Sequence, residues 1–280
     1  MTWDDAPRPV ASPLTVRDWL RVARRAVPMT LVVTLGLILL LAIRLVERPL
    51  CGLRRPVSPW VTQGVCRAEL RLLGLRRDVR GAVMRGTGAV VANHGSWLDI
   101  FALNASKRIY FVAKSEVSAW PGIGWLARAT GTVFIRRDPR EAAAQKAVFE
   151  ERLRAGHRLL FFPEGTSTDG LRVLPFKTTL FAAFFSGGLP DMQVQPVTLV
   201  YHAPEGEAAS FYGWWGKEDF AGHMLRMLAV RRHGRIEVIY HAPLAVGAFS
   251  DRKALARAAE TVVRTAFLRA LPSAEGGDQL

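Results

Sequence analysis

Ala26 to Ile43 reads AVPMTLVVTLGLILLLAI, eighteen residues without a charge. A bilayer core about 30 Å thick takes roughly 20 apolar helical residues, so the run has the lower end of a membrane-crossing length. Arg17, Arg21, Arg24 and Arg25 precede it, and Arg44, Arg48, Arg54 and Arg55 follow. A soluble core helix is seldom apolar all round and fenced by guanidinium groups at both ends. A cleaved signal needs small residues at its cleavage site, whereas Ile43-Arg44-Leu45-Val46 closes this run. The run is therefore predicted to be a retained anchor, either spanning the membrane or dipping into one leaflet. Arginine on both sides gives the positive-inside rule no vote on orientation.

The charge supports that placement. Of the 38 basic residues against 24 acidic ones, 15 arginines and only six acids fall in residues 1–85. A chain of formal charge +14 suits an anionic partner, and charge gathered around an apolar helix points to lipid rather than nucleic acid, for which no recognition motif is present. Cys51 and Cys66 lack the spacing of a zinc site and are too few for a disulfide scaffold. Six scattered histidines add no ligand cluster, so no metal is expected.

Past the anchor, short apolar runs predict strands at 89–92, 109–113, 132–135, 158–162, 194–200 and 235–240. Helices are predicted between them: one capped at Asp138 and running to Arg154, one over Phe176–Phe185, and one from a Ser250 cap to Leu271. Strands alternating with helices predict an α/β fold, a central mostly parallel sheet flanked by helices and preceded by the N-terminal hydrophobic anchor helix. The chain is divided into a basic anchor segment at 1–60, an α/β domain at 61–271 and a polar tail at 272–280. Pro196, inside a strand-like run, predicts an edge or a bulge.

Asn93-His94-Gly95-Ser96-Trp97-Leu98-Asp99 follows the first of these strands. On one continuous helix His94 and Asp99 would point about 140° apart, so they meet only if His94 sits on the loop and Asp99 on the next helix. Gly95 permits the bend, and Ser96 suits a helix cap. Asp99 would then hold Nδ1–H and leave Nε2 as a base, with the nucleophile supplied by the substrate. Arg136-Arg137 end a second strand, Glu164-Gly165-Thr166 a third, and Val194–Leu199 forms another. Such ends converge at the carboxyl edge of a sheet, where α/β proteins bind ligands.

Four blocks in order resemble the membrane-associated glycerolipid acyltransferases of the 1-acylglycerol-3-phosphate acyltransferase type. NHxxxxD is matched at 93–99, GxxFIxR at 131–137, FPEGT at 162–166 and VxPVxL at 194–199. The resemblance implies acyl transfer from a thioester of coenzyme A or acyl carrier protein to a lysolipid hydroxyl, with no further cofactor. It implies His94 as general base and Asp99 as its orienter, and Glu164, Gly165, Thr166 and Arg137 on the acceptor side. Lys114, Arg136 and Lys177 become possible donor or head-group contacts. It also implies a membrane-bound protein, at a bacterial inner membrane with the site facing the cytoplasm. Cys66 and His157 match no block and are read as structural.

One position departs from the family pattern. Phosphate-accepting members carry Arg directly after FPEGT, whereas this chain has Ser167, followed by Thr168-Asp169-Gly170. A guanidinium grips a phosphate dianion with two parallel hydrogen bonds and a serine cannot. This form, with the aromatic loop Phe211-Tyr212-Gly213-Trp214-Trp215, resembles bacterial lyso-ornithine lipid acyltransferases. Arg136 beside Arg137 keeps a phosphate acceptor open. Absence of Gly-x-Ser-x-Gly excludes a serine hydrolase of that type, and no P-loop is present. A non-catalytic lipid-binding scaffold is the remaining alternative.

Overall fold

The computed structural model describes residues 3–7, 13–86, 88–136, 142–185 and 191–271. The chain's first helix, α1 (Val16–Cys51), is 36 residues long, twice the length of the uncharged run. It starts at a capping box, in which the Thr15 hydroxyl accepts from Asp18 N while the Asp18 carboxylate accepts from Thr15 N at 2.8 Å. Helix α2 (Ser58–Leu73) turns back against it. The two pack closely: a Cβ on Gly36 would lie 2.3 Å from Val65 Cγ2.

Beyond α2 come strands β1 (Arg76–Arg80) and β2 (Gly88–Ala92), helix α3 (Asp99–Ser106), β3 (Tyr110–Lys114), helix α4 (Ile123–Thr130) and β4 (Val133–Ile135). They are followed by α5 (Ala142–Arg154), β5 (Leu159–Phe161), β6 (Gln193–His202), α6 (Phe220–Ala229), β7 (Arg235–Tyr240), β8 (Leu244–Ala245) and α7 (Arg252–Ala270). The sheet order is β1-β7-β6-β2-β5-β3-β4, with β8 beside β6. Only β6–β7 and β6–β8 are antiparallel. Every residue of β2 is buried, as an apolar run covered on both faces requires.

One face packs Val90, Leu160 and Leu199 under Leu70, Leu103 and Met227 from α2, α3 and α6. The other packs Val91, Leu159 and Val194 under Phe149 of α5 and Leu255, Val263 and Phe267 of α7. The base of α1 joins the first face. Arg25 is buried and donates through Nη1 to the carbonyls of Leu228 (2.7 Å) and Val230 (2.5 Å), at the end of α6. Arg21 Nε donates to the Ala229 carbonyl at 2.7 Å. A guanidinium there satisfies the unpaired carbonyls of a helix C-terminus, while Arg25 Nε is buried without a hydrogen bond.

All six predicted strands are present, and the sheet is parallel apart from the two pairings of β6. Four local readings need correction. Residues 176–179 are not helical; only a 3₁₀ turn, Leu180–Phe185, forms there. Three backbone N–H groups ahead of it find acceptors on other elements: Leu174 on Glu164 Oε2, Phe176 on Glu260 Oε2 of α7 and Lys177 on the Pro163 carbonyl. Pro196 lies in an interior strand, not at an edge or bulge. On one side it pairs with Val91, and on the other it falls where the neighbour changes from β8 to β7, so no N–H is required. Helix α7 is capped by Asp251 rather than Ser250, its Oδ1 accepting from Lys253 N and Ala254 N. Ser96 does not cap α3, which starts at Asp99, although its hydroxyl accepts from Leu98 N at 3.3 Å. The Asp138 cap and the tail at 272–280 lie outside the described residues.

Candidate functional site

Strand β2 delivers its next residues to the carboxyl edge of the sheet, and Asn93 fixes the loop there. Its amide donates to the Leu199 carbonyl and accepts from Leu199 N, both at 2.8 Å, bridging to β6 in the manner of a strand pair. His94 Nδ1 then lies 2.8 Å from Asp99 Oδ2. The same Oδ2 accepts from Gly95 N (3.0 Å) and Ser96 N (3.1 Å), and Oδ1 accepts from the Tyr201 hydroxyl at 2.6 Å. A carboxylate so surrounded by donors is an acceptor only, so Nδ1 carries the proton and the Nε2 lone pair is left available. Nε2 has no hydrogen-bond partner among the described residues, and the ring is partly exposed. Phe162 lies flat on the imidazole, centroids 4.0 Å apart and planes 9° apart, fixing its orientation.

The end of β5 supplies the second wall. Phe162 to Gly165 form a tight turn in which Gly165 N donates to the Phe162 carbonyl and Gly165 has φ +72°, a conformation that favours glycine. The turn aims Glu164 inward. This buried carboxyl accepts from His94 N (2.8 Å) and Leu174 N (2.7 Å). Burial pushes its pKa up to about 8 against those two hydrogen bonds, with Asp99 adding to the rise. Glu164 thus ties the base's backbone to the segment that crosses beneath α7. Thr166 and Ser167 are half-buried on the same turn. Thr168 N donates to the His94 carbonyl at 3.0 Å, and Trp214 N to the Gly95 carbonyl at 2.9 Å. Trp97 Nε1 donates to His223 Nδ1 and His223 Nε2 to the Gly213 carbonyl, so the aromatic loop at 211–215 is fastened to the histidine loop.

His94, Asp99, Glu164, Gly165, Thr166 and Ser167 therefore come together. The basic residues spread further along the edge. Lys114 ends β3, two strands from β2, and Arg136 follows β4, three strands away, or about 10 and 14 Å at ordinary strand spacing. Exposed Lys177 follows the segment bonded to Pro163. Arg137 lies outside the described residues. Asp169 is not a free negative charge beside Ser167: it is buried and holds Arg172 through Nε (3.1 Å) and Nη2 (2.8 Å). Burial raises the Cys66 thiol to about 12, leaving it protonated, and His157 stacks on Tyr110 while donating to the Leu53 carbonyl. Among the described residues no His, Cys, Asp or Glu trio is placed to hold a metal ion.

Sequence reasoning missed Tyr201, the second anchor of Asp99. Its signal was present, because Val197, Leu199 and Tyr201 alternate on one face of β6 and the last of the VxPVxL block predicts where the next side chain points. It also missed the contact of Trp3 with Thr166, where the Trp3 N–H lies 3.4 Å from the hydroxyl.

The family model described as Acyltransferase matches residues 76–200. A lyso-ornithine lipid O-acyltransferase of Rhodobacter capsulatus is 59% identical over 264 residues, covering 94% of this chain and 96% of that one. A 1-acyl-sn-glycerol-3-phosphate acyltransferase of Neisseria gonorrhoeae is 41% identical over 120 residues, 42% of this chain and 46% of that protein. Among solved structures, the 1-acyl-sn-glycerophosphate acyltransferase of Thermotoga maritima superposes with a TM-score of 0.61 at 20% identity, covering 91% of this chain and 98% of that chain, and so shares the fold. With one relative matched almost end to end, the chain is an enzyme and belongs to the acyltransferase family.

Proposed function

We propose that the chain transfers a fatty acyl group from an acyl carrier protein or coenzyme A thioester to the free hydroxyl of lyso-ornithine lipid. His94 Nε2 takes the hydroxyl proton as the oxygen bonds to the thioester carbonyl carbon. The tetrahedral intermediate collapses, the carbon–sulfur bond breaks, and the departing thiolate receives that proton from the imidazolium. Asp99 and the face of Phe162 stabilise the imidazolium in between. Glu164 holds the loop and the acceptor turn in register, and Thr166 and Ser167 face the acceptor's head group with Gly165 shaping their turn. Lys114, Arg136, Arg137 and Lys177 belong to the rim that meets the donor or head group. No cofactor or metal takes part.

The observation that carries the acceptor is Ser167, with the nearest guanidinium on that turn, Arg172, already bound to Asp169. A phosphate monoester lacks the bidentate contact there, worth about 1.5–3 kcal/mol or roughly 10–150-fold. The extended match to a lyso-ornithine lipid enzyme agrees. The second reading, 1-acylglycerol-3-phosphate as acceptor, rests on the relatives so named. The test is a lysolipid panel. Lyso-ornithine lipid is expected to exceed lysophosphatidic acid in kcat/KM, and Ser167→Arg to move preference toward the phosphate. Turnover of lysophosphatidic acid alone, unmoved by Ser167→Arg, refutes it.

The membrane position follows from α1, which among the described residues is the one helix long and apolar enough to cross a bilayer. It is fastened to the folded body near both ends of its apolar stretch: Arg25 on α6, and Glu47, whose Oε1 accepts Val57 N (2.7 Å) and Ser58 N (3.1 Å). Gly36 rests on Val65 between them. A helix lying along its own domain over about 33 Å at roughly 1.5 Å per residue cannot leave that domain behind while crossing a membrane. Its exposed Leu31, Leu35, Ile38, Leu39 and Leu45, with Trp60 and Trp125 nearby in the fold's exposed apolar set, suit one leaflet, here assigned to the cytoplasmic side of a bacterial inner membrane.

A further inference from the structure

The segment Trp3–Pro7 lies against the turn that carries Ser167. The Trp3 N–H donates to Thr166 Oγ1 at 3.4 Å, and the Trp3 and Trp215 rings sit 6.4 Å apart at 48°. Trp215 is buried and its Nε1 donates to the Ala6 carbonyl at 3.2 Å, so the segment is held at two points. The Arg172 guanidinium lies over the Trp3 ring, 4.8 Å from its centroid. Its opposite partner is Asp169, bonded through Nε and Nη2. The guanidinium is thus held between a buried carboxylate and an indole, rather than extended toward Ser167. Thr168, next to Ser167, donates to the His94 carbonyl, which places this layered arrangement at the shoulder of the base. None of the four family blocks includes Trp3 or Arg172.

We propose that Trp3 is a specificity-determining residue of the acceptor site: its indole walls the head-group position beside Thr166 and Ser167 and keeps Arg172 turned to Asp169, favouring a head group that carries an ammonium over a phosphate monoester. The chemistry is direct. A phosphate dianion needs a free guanidinium in fork geometry, and the Nε/Nη2 fork of the one at hand is taken by Asp169 while its face lies over Trp3. An ammonium gains at the electron-rich face of an indole, here the face that Arg172 does not cover, and exposed Asp5 adds a negative charge two residues on. This rests on the lysolipid acceptor reading above and assigns it a recognition residue.

The experiment uses the full chain in lipid vesicles, with wild type, Trp3→Ala and Trp3→Phe assayed on lyso-ornithine lipid and lysophosphatidic acid of equal acyl chain. Trp3→Ala is expected to raise KM for lyso-ornithine lipid by about 3–30-fold, the range of a cation–π contact, with kcat little changed. Its kcat/KM for lysophosphatidic acid should hold or rise as Arg172 is released, and Trp3→Phe should retain most of the wild-type preference. An equal loss on both acceptors, a loss in kcat alone, or no change in the ratio overturns the proposal. Wild type that ignores lyso-ornithine lipid overturns the acceptor reading and this assignment together. Wild type that uses it, with an unchanged ratio in Trp3→Ala, overturns this assignment alone.

Discussion

Replacing Asp99 by Asn separates charge from geometry in the base. The carboxylate receives four hydrogen bonds: His94 Nδ1, Gly95 N and Ser96 N on Oδ2, and the Tyr201 hydroxyl on Oδ1. An Asn amide can keep its oxygen at the Oδ2 position and turn its NH₂ toward the Tyr201 oxygen. The His94 tautomer and the loop then survive, while the negative charge opposite the imidazolium is lost. The lower bound on the cost is the difference between a charge-assisted and a neutral hydrogen bond, about 1–1.5 kcal/mol. The upper bound is the attraction of two unit charges about 4 Å apart at an effective dielectric near 20, about 4 kcal/mol. The expected fall in kcat is therefore roughly 10- to 1,000-fold, with KM for the lysolipid little changed. Thiol release from the acyl thioester, followed by absorbance in vesicles, measures it. Asp99→Ala, which orphans the Gly95 and Ser96 N–H groups as well, should lose more. Asp99→Asn activity within threefold of wild type would refute the view that the carboxylate offsets the imidazolium charge.

Two stability predictions follow from buried charges. His157 and His223 are held neutral by burial, with pKa values lowered to about 4 and about 3, whereas Glu164 is raised to about 8. The histidines stabilise fully above about pH 6.5 and lose that contribution as pH falls through their folded values; Glu164 stabilises fully below about 4.5 and loses it as pH rises through 8. Tm should therefore drop on going from pH 6.5 to 8, a drop that Glu164→Gln reduces to the smaller share of Glu69, which burial raises to about 7, and calorimetry showing a rise would contradict this. Arg25→Met keeps the packing but strands the carbonyls at the end of α6, so about 1.5–3 kcal/mol and roughly 3–8 °C in Tm should be lost in detergent; an unchanged melt would show that Arg25 only flanks the anchor.

The sequence made the histidine loop legible because its tasks are local: His94 follows a buried apolar strand and Asp99 lies five residues on. It made the sheet legible because parallel strands read as continuous apolar runs. It hid whatever depends on a partner far along the chain. Arg25 reads as one more flanking charge until α6 offers its carbonyls 203 residues later. Nothing in Ser167-Thr168-Asp169-Gly170 shows that Arg172 turns back on Asp169, and Tyr201 is 102 residues from the carboxylate it fixes. The expected helix over 176–185 shrinks to a 3₁₀ turn where Leu174, Phe176 and Lys177 are held by Glu164, Glu260 and Pro163, partners that the local sequence does not announce. The full length of α1 was within reach, since Thr15-Val16-Arg17-Asp18 is a capping box placed well before the uncharged run.

The central claim is that His94 Nε2 deprotonates an acceptor hydroxyl for direct attack on the thioester. The measurement that tests it is single-turnover acyl transfer from a labelled thioester to lyso-ornithine lipid by wild type and His94→Ala in the same vesicles, with the protein analysed by mass after quenching. The account predicts transfer by wild type, a fall of about 10²–10⁴-fold in His94→Ala with lysolipid binding retained, and no acylated protein in either. Transfer undiminished in His94→Ala, or an acyl group found on Cys51 or Cys66 and passed on to the acceptor, would contradict it.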